Sequence, residues 1–122
     1  MFDFFLGYMI LKKPWGEYNN CLLVELLEHV ENPVYYLQGV NTALKRKGNA
    51  LLTFALRMPQ ADHIYNFSPV SECRLMVNNN GFDIIDEDYF ISSFKEYDHP
   101  QKKELAESSR YGVVYACVAR KS

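Results

Sequence analysis

Two short clusters of carboxylate and imidazole side chains each follow a continuous apolar run. Glu25, Glu28 and His29 come directly after the first run, and Asp62 and His63 lie in the loop after the second. A histidine side chain titrates near neutral pH, so a histidine and carboxylate pair can take a proton from a hydroxyl or an amine during group transfer. The two clusters therefore predict a site for acid–base chemistry wherever the fold brings them together.

The fold that must position these clusters belongs to the α/β class. Cys21–Val24 and Ala50–Leu56 are continuous apolar runs, typical of strands that are buried on both faces of a parallel sheet. Helical patterns alternate with the strands, which predicts the order strand, helix, strand, helix, strand, loop, strand, with the last two strands antiparallel. Ligands of open α/β sheets bind outside the carboxyl ends of the strands, so both clusters are expected to face one crevice.

Capping residues set the limits of the first predicted helix. Asn32 suits the N-cap and Pro33 the first helical position. Lys45–Lys47 would lie in the last turn, where cations offset the helix dipole, and Gly48 would take the left-handed C′ position. An anion site at the basic triplet is the alternative.

Similar signals delimit the remaining elements. Ser68 and Pro69 repeat the N-terminal signature for a second helix that ends near Asn80–Gly81. The other predicted segments are a loop from Lys12 to Asn20, a loop from Arg57 to Phe67, a strand from Phe82 to Ile91, a polar loop over 92–110 with a possible helical turn, and a closing strand from Tyr111 to Ala119.

Composition bounds the class of protein. The chain has 122 residues, of which 48% are hydrophobic, enough for one domain with a packed core. The net charge of -2 gives no electrostatic case for nucleic acid or for an anionic membrane surface. Cys21, Cys73 and Cys117 show no metal-ligand spacing and predict buried free thiols in a reducing compartment. Met1–Leu11 is too short to span a bilayer and lacks the features of a signal peptide, so the cytoplasm is the expected compartment.

Structural roles compete with the catalytic interpretation. His29 could cap or pack at a helix start, and Asp62 and His63 could be turn residues. A metal site made of Glu28, His29 and His63 is chemically possible, although its ligand set is incomplete. Tyr35 and Tyr36, the last candidates, either line a substrate cleft or pack on a helix surface.

Four segments resemble motifs of class I S-adenosylmethionine-dependent methyltransferases, in the family's order and spacing. Leu26–Pro33 is similar to the EHV-x-[DN]-P segment after strand four, and Ala43–Leu52 resembles the entry into strand five. Asp62–Pro69 resembles the DH-hydrophobic-x-x-F-[ST]-P stretch, and Asn80–Phe82 the AGF that opens strand six. The resemblance covers residues 17–121 and implies the C-terminal half of the family's Rossmann-like sheet, with the last strand antiparallel beside strand five.

The resemblance also implies a function and its residues. The family transfers a methyl group from S-adenosylmethionine, here to a small-molecule acceptor. The resemblance implies catalytic roles for Glu28, His29, Asp62 and His63. It also implies that Glu25 and Leu26 approach the cofactor.

The sequence departs from the family in what surrounds the cofactor. No two of its glycines have the spacing of a phosphate loop, and Asn19 stands where strand four often has an acidic residue. We therefore expect a truncated sheet and weak or absent cofactor binding by the isolated chain. A non-catalytic interaction module, or pseudoenzyme, is the alternative function.

The N-terminal segment is expected to compensate for the open sheet. Residues 1–16 have no counterpart in the family, and Phe2–Leu11 is apolar and aromatic. Without a neighbour, the first family-like strand would present an open apolar edge. Phe2–Leu11 is predicted to cover that edge as an added strand or to form the core of a dimer contact; an ordinary N-terminal helix is the alternative. The expected partner is a second copy or a complementing N-terminal half.

Overall fold

The computed structural model of the chain describes residues 4–6, 18–24, 26–57, 67, 69–91, 102–107 and 112–122. Its elements, in chain order, are β1 (Phe4–Leu6), β2 (Tyr18–Leu23), a 3-10 helix (Leu27–His29), α1 (Pro33–Ala43), β3 (Leu44–Leu56), α2 (Val70–Asn79), β4 (Phe82–Ile91), α3 (Lys102–Glu107) and β5 (Val113–Lys121). In the described part of the chain, no helix has the length and apolar character that crossing a membrane requires.

The strands form one five-stranded sheet in the order β1-β2-β3-β5-β4. β1, β2 and β3 are parallel, and β5 is antiparallel to both of its neighbours. The predicted strand order and the antiparallel closing strand are therefore confirmed. Phe4–Leu6 pairs with residues 20–22 of β2, which confirms the added strand for these three residues. The rest of Phe2–Leu11 lies outside the described residues.

The first helix begins as predicted and ends earlier. Asn32 accepts a hydrogen bond from the Tyr35 backbone N–H at 3.3 Å, and Pro33 is the first helical residue. The prediction of Lys45–Lys47 in the last turn was wrong, because α1 ends at Ala43 and these residues lie exposed in β3. The cation at this helix end is Lys121, whose Nζ donates to the carbonyl oxygens of Asn41 (2.6 Å) and Leu44 (2.9 Å).

Gly48 is a site of close backbone approach, not a helix cap. The register between β2 and β3 jumps, because Tyr18 lies opposite Leu44 while Asn20 lies opposite Asn49. The extra residues bulge outward, with Lys47 at a φ of 66°. A Cβ at Gly48 would lie 2.9 Å from the Lys45 carbonyl oxygen and 3.1 Å from that of Asn19. The sequence pattern alone could not reveal this register.

The other boundaries differ from the predictions by a few residues. α2 begins at Val70 with Pro69 at the N-cap, one position later than predicted, and Ser68 lies outside the described residues. β4 matches its predicted limits, and α3 is the helical turn of the polar stretch. β2 starts at Tyr18, inside the predicted loop, and β5 is shifted by two residues. Such shifts are ordinary for element ends.

Both long helices pack on one face of the sheet. Alternate residues of β3 and β5 share a single buried cluster with Leu37 and Val40 of α1 and Cys73 and Val77 of α2. The strand residues of this cluster are Ala50, Leu52, Phe54, Leu56, Val113, Tyr115, Cys117 and Ala119. The three cysteines are free and buried, as predicted.

Candidate functional site

The carboxyl end of β2 leads into the 3-10 helix that carries part of the first predicted cluster. The backbone N–H of His29 donates to the Leu26 carbonyl at 2.9 Å, which closes the turn. Leu27 is fully buried, and Leu26 packs against the core. His29 is partly exposed at this edge of the sheet. Glu25, predicted to approach the cofactor, lies outside the described residues.

Glu28 has an environment that its sequence position did not predict. The residue is only 4% exposed, and its Oε2 is the one buried side-chain oxygen or nitrogen in the described part of the chain without a hydrogen-bond partner. A buried acceptor left unpaired costs about 1–3 kcal/mol. This oxygen therefore fits a group that donates a hydrogen bond, such as a ligand ammonium, amide or hydroxyl.

The carboxyl end of β3 lies beside that of β2, since the two strands are parallel neighbours. The backbone N–H of Arg57 donates to the Phe67 carbonyl at 2.9 Å and joins the two ends of the following loop. Burial lowers the pKa of the Arg57 guanidinium. Asp62 and His63 fall in that loop, outside the described residues, so their approach to His29 stays a prediction.

The structure also describes Tyr35 and Tyr36, the two candidates for the lining of a substrate cleft. The rings of Tyr35 and Tyr36 meet edge to face at 5.5 Å; Tyr35 is exposed, and Tyr36 packs against the core. Within the described ranges, no group of three histidine, cysteine, aspartate or glutamate side chains could hold a metal ion.

A second polar cluster, which the sequence reasoning missed, joins α2 to β4 and β5. Arg74 Nε donates to Glu87 Oε1 at 2.7 Å, and Arg74 Nη2 donates to Glu87 Oε2 at 3.2 Å. The Tyr115 hydroxyl donates to Glu87 Oε1 at 2.5 Å. Arg74 Nη2 also donates to the Tyr89 hydroxyl at 2.7 Å and to Glu107 of α3 at 3.0 Å. No local sequence pattern relates the residues of this cluster, because they lie on different helices and strands that only the tertiary fold brings together.

The pKa values of this cluster follow from burial and mutual contact. Burial raises the pKa of Glu87, but hydrogen bonds from Arg74 and Tyr115 outweigh it, so the net pKa lies below the ordinary value. The hydrogen bond to Glu87 raises the pKa of Arg74. Burial raises the pKa of Tyr115, and burial also raises the pKa of Tyr89 to about 12. The cluster is therefore a charged Arg–Glu pair with neutral tyrosines.

An open groove of about 500 Å³ lies beside this cluster, between α2 and β4. Arg74 and Glu87 contribute to its wall, but both are committed to the contacts described above. β4 is the third strand from β2 in the sheet, and none of the three described site residues, Leu26, Glu28 and His29, lines the groove. The cluster and its groove are thus separate from Leu26, Glu28 and His29. The contacts of the cluster join α2 and α3 to β4 and β5, which is a structural role.

Solved structures of other proteins share this arrangement. The [4+2]-cyclase SpnF matches with a TM-score of 0.65 at 16% identity, over 91% of this chain and 52% of its own. The 1,6-didemethyltoxoflavin-N1-methyltransferase of Burkholderia thailandensis, solved with bound 1,6-didemethyltoxoflavin and S-adenosylhomocysteine, gives a TM-score of 0.63 at 15% identity, over 93% of this chain and 48% of its own. A SAM-dependent methyltransferase from Archaeoglobus fulgidus gives 0.63 at 12% identity, over 94% and 64%.

These likenesses establish the fold and leave the reaction open. No protein-family model and no curated protein sequence matches the chain. The chain spans between 48% and 64% of the length of the three structures. Since a cyclase stands among them, the fold alone does not decide the chemistry. The chain has the fold of the C-terminal half of a class I S-adenosylmethionine-dependent methyltransferase, with β2, β3, β5 and β4 in the places of strands four, five, seven and six.

Proposed function

We propose that the chain supplies the acceptor side of an S-adenosylmethionine-dependent methyl transfer to a small molecule. The observation that carries the proposal is the unpaired, buried Oε2 of Glu28 at the carboxyl end of β2, next to the partly exposed His29. Ligands of open α/β sheets bind at this edge. A hydrogen-bond donor on a ligand would satisfy the one buried acceptor that the described residues leave unpaired.

The chemistry asks little of the protein beyond alignment. S-adenosylmethionine supplies an electrophilic methyl group on a sulfonium. Methyl transfer depends mainly on holding the acceptor nucleophile in line and close to that carbon. Glu28 would orient the acceptor or the cofactor through its free oxygen, and His29 would take the proton that the acceptor nitrogen or oxygen loses. Asp62 and His63 are the proposed second pair for the same proton.

We propose that the part of the binding site that holds most of the cofactor is formed by residues that this sequence does not contain. The sequence has no glycine-rich phosphate loop, and the family's acidic residue at the start of strand four is Asn19. One solved structure of this fold comes from a complex of a Haloferax volcanii methyltransferase activator with a methyltransferase, so pairing with a second chain has a precedent in that protein. A complementing chain, or a second copy, is the proposed partner here.

Nuclear magnetic resonance on the full chain tests the proposal. Titration with S-adenosylmethionine to about 1 mM, which detects free energies of binding near -4 kcal/mol, is expected to shift the amide signals of Leu26, Glu28 and His29. Glu28→Gln should weaken the response, and Glu72→Gln on α2 is the matched control. Shifts confined to other residues would contradict the site, and no shifts at all would leave only the version in which a complementing chain is required. A dissociation constant for S-adenosylmethionine below about 100 μM, or -5.5 kcal/mol, would show that the chain binds the cofactor without a second chain.

A non-catalytic interaction module is the second candidate function. The observation that favours it is the partly exposed apolar surface on the sheet face opposite the helices, which includes Leu51 and Phe90. Contiguous apolar surfaces of this kind commonly mark contact sites. Association without any response to S-adenosylmethionine would favour this candidate over methyl transfer.

A further inference from the structure

β4 is the last strand of the sheet, and β5 is its one strand neighbour in the described part of the chain. The side of β4 that faces away from β5 carries a row of backbone N–H and carbonyl groups, with which a strand of another chain can pair. We call this side of β4 the outer edge. β4 has 10 residues, more than the usual length of about five to six, so the outer edge is a long template for such pairing.

A hydrogen bond at the end of β5 shows which residues of β4 direct their backbone groups to the outer edge. The Ser122 N–H donates to the Gly81 carbonyl oxygen at 3.0 Å, so the backbone groups of Ser122 face β4. Backbone groups alternate in direction along a strand, so the odd-numbered residues of β5 direct theirs to β3. Glu87 and Tyr89 lie opposite odd-numbered residues of β5. Their N–H groups therefore point to the outer edge.

The side chains of two aspartates occupy both of these N–H groups. The Glu87 N–H donates to Asp86 Oδ1 at 2.9 Å, and the Tyr89 N–H donates to Asp88 Oδ1 at 2.8 Å. Aspartate side chains that bond the neighbouring backbone in this way compete with regular pairing. An incoming strand offers neutral carbonyl oxygens, and a charged carboxylate is the stronger acceptor. Strand addition would therefore have to displace the better partner at two positions.

A bulge interrupts the outer edge directly before these positions. Ile84 lies opposite Ala119 and Asp86 lies opposite Val118, so Ile85 has no opposite residue on β5. A bulge bends its strand and breaks the regular spacing of the backbone groups that a second strand needs. The first half of the outer edge is therefore irregular, and the second half has two N–H groups that are already bonded.

α3 flanks the same part of β4 on the helix-bearing side of the sheet. Glu107 of α3 accepts from Arg74 Nη2 at 3.0 Å, and Arg74 also bonds Glu87. Successive side chains of a strand point to opposite faces, so Asp86 and Asp88 lie on the face away from α3. A strand that approaches the outer edge therefore meets a helix on one side and two carboxylates on the other.

We propose that Asp86 and Asp88 close the outer edge to strand addition by a second chain, through their hydrogen bonds to the backbone more than through their charge. Exposed charges are screened by salt at physiological ionic strength, whereas an N–H group that is already bonded is withdrawn from pairing at any salt concentration. The inference does not depend on the proposed function. It leaves the β1 side as the end of the described sheet at which a complementing chain could extend it.

Two double variants separate the hydrogen bonds from the charge. Asp86→Ala with Asp88→Ala removes both acceptors, whereas Asp86→Asn with Asp88→Asn keeps an amide oxygen at each position that can accept from the backbone. Both variants have the same net charge, so a general loss of repulsion affects them alike. Asp83→Ala is the second control, because it removes a carboxylate of β4 that accepts from the Ser122 hydroxyl at 3.2 Å.

Sedimentation velocity over a range of concentrations measures the association of the full chain. The double alanine variant should associate at a concentration about tenfold lower than the double asparagine variant, which corresponds to 1.4 kcal/mol. The double asparagine variant and Asp83→Ala should sediment like the wild type. Circular dichroism checks that each variant is folded. If the double alanine variant is unfolded, the single changes Asp86→Ala and Asp88→Ala are compared with Asp86→Asn and Asp88→Asn in the same way.

Amide hydrogen exchange tests the two bonds directly in the monomer. The amides of Glu87 and Tyr89 should exchange roughly three- to tenfold faster in the double alanine variant than in the wild type. The double asparagine variant should retain the slower exchange. In the associated double alanine variant the same two amides should again become protected, because the added strand would accept from them.

Three results would overturn the proposal. Equal association of the two double variants would assign the closure to charge. A folded double alanine variant that sediments like the wild type would show that the aspartates are not needed beside α3. Unchanged exchange of the amides of Glu87 and Tyr89 in the monomer, or association that leaves them unprotected, would show that the two bonds do not occupy the outer edge.

Discussion

Replacing Glu87 by glutamine is expected to destabilise the chain more than any other single change in the polar cluster around Arg74. The Glu87 carboxylate accepts from two nitrogens of Arg74 and from the hydroxyl of Tyr115, which is fully buried. A glutamine has nearly the same shape but only one acceptor oxygen and no charge. With its oxygen in the place of Oε1 it can still accept from Arg74 Nε and Tyr115, but those bonds lose their charge, and its NH₂ group then meets the Arg74 Nη2 that donated to Oε2.

The expected magnitude follows from the number and kind of bonds lost. A hydrogen bond to a charged group contributes about 1.5–3 kcal/mol. The side chains of Arg74 and Glu87 are 30% and 24% exposed, which reduces the Coulomb part toward the low end. Glu87→Gln should therefore cost about 2–3 kcal/mol, whereas Tyr115→Phe, which removes one bond, should cost about 1–2 kcal/mol. Glu107→Gln, at the exposed end of the cluster, should cost less than about 0.5 kcal/mol.

Urea unfolding of the three variants measures these differences. A chain of this length loses about 4 °C of melting temperature for each kcal/mol, so Glu87→Gln should melt about 8–12 °C lower. The double variant Glu87→Gln with Tyr115→Phe should cost less than the sum of the single changes, because the loss of charge at residue 87 already weakens the bond that Tyr115→Phe removes. Equal losses for Glu87→Gln and Glu107→Gln would refute the reasoning, as would a loss below about 0.5 kcal/mol for Glu87→Gln.

The pH dependence of this variant has a definite sign. The pKa of Glu87 lies below its ordinary value of 4.5 in the folded chain, because the contacts with Arg74 and Tyr115 outweigh burial. A depressed carboxyl pKa stabilises the fold above the unfolded pKa and loses that stabilisation as the pH falls through the folded pKa. The stability gap between wild type and Glu87→Gln should be constant above about pH 5.5 and shrink below pH 4.5.

Three further predictions concern local packing and ionisation. Gly48→Ala should cost about 2 kcal/mol or more in urea unfolding, because its Cβ would meet backbone oxygens at 2.9 and 3.1 Å; an unaffected stability would contradict the close approach. In an alkaline absorbance titration, the difference between wild type and Tyr89→Phe should appear near pH 12, and a midpoint near 10 would contradict the burial of Tyr89. Cys73 and Cys117 should react with a thiol reagent only after unfolding, because burial raises the pKa of both thiols; reaction in the native state would contradict this.

The sequence predicted the parts of the fold that local patterns encode. The limits of β4, the start of α1 at Asn32 and Pro33, and the antiparallel closing strand were all correct. The end of α1 was wrong because Lys45–Lys47 satisfy a local rule for helix ends, while the pairing of Leu44 and Asn49 with β2 on either side makes them a bulge of β3. Strand pairing is a long-range interaction, and it overrode the local signal.

The candidate site shows the same difference between what local patterns predict and what tertiary packing decides. The position of Glu28 and His29 after β2 followed from chain order, because a strand that ends in a polar turn places that turn at the carboxyl edge. The burial of Glu28 did not follow, since it depends on how the 3-10 helix packs on the core. The bonds among Arg74, Glu87 and Tyr115 were missed because these residues lie on three different elements.

The position of β1 changes which surface is available for association. An uncovered β2 would offer its backbone edge to a partner, and the N-terminal segment was predicted either to cover that edge or to form a dimer contact. Phe4–Leu6 pairs with β2 in parallel, so the backbone groups of residues 20–22 already have a neighbour. Strand addition by a second chain along residues 20–22 of β2 is therefore not the mode of association that this topology favours.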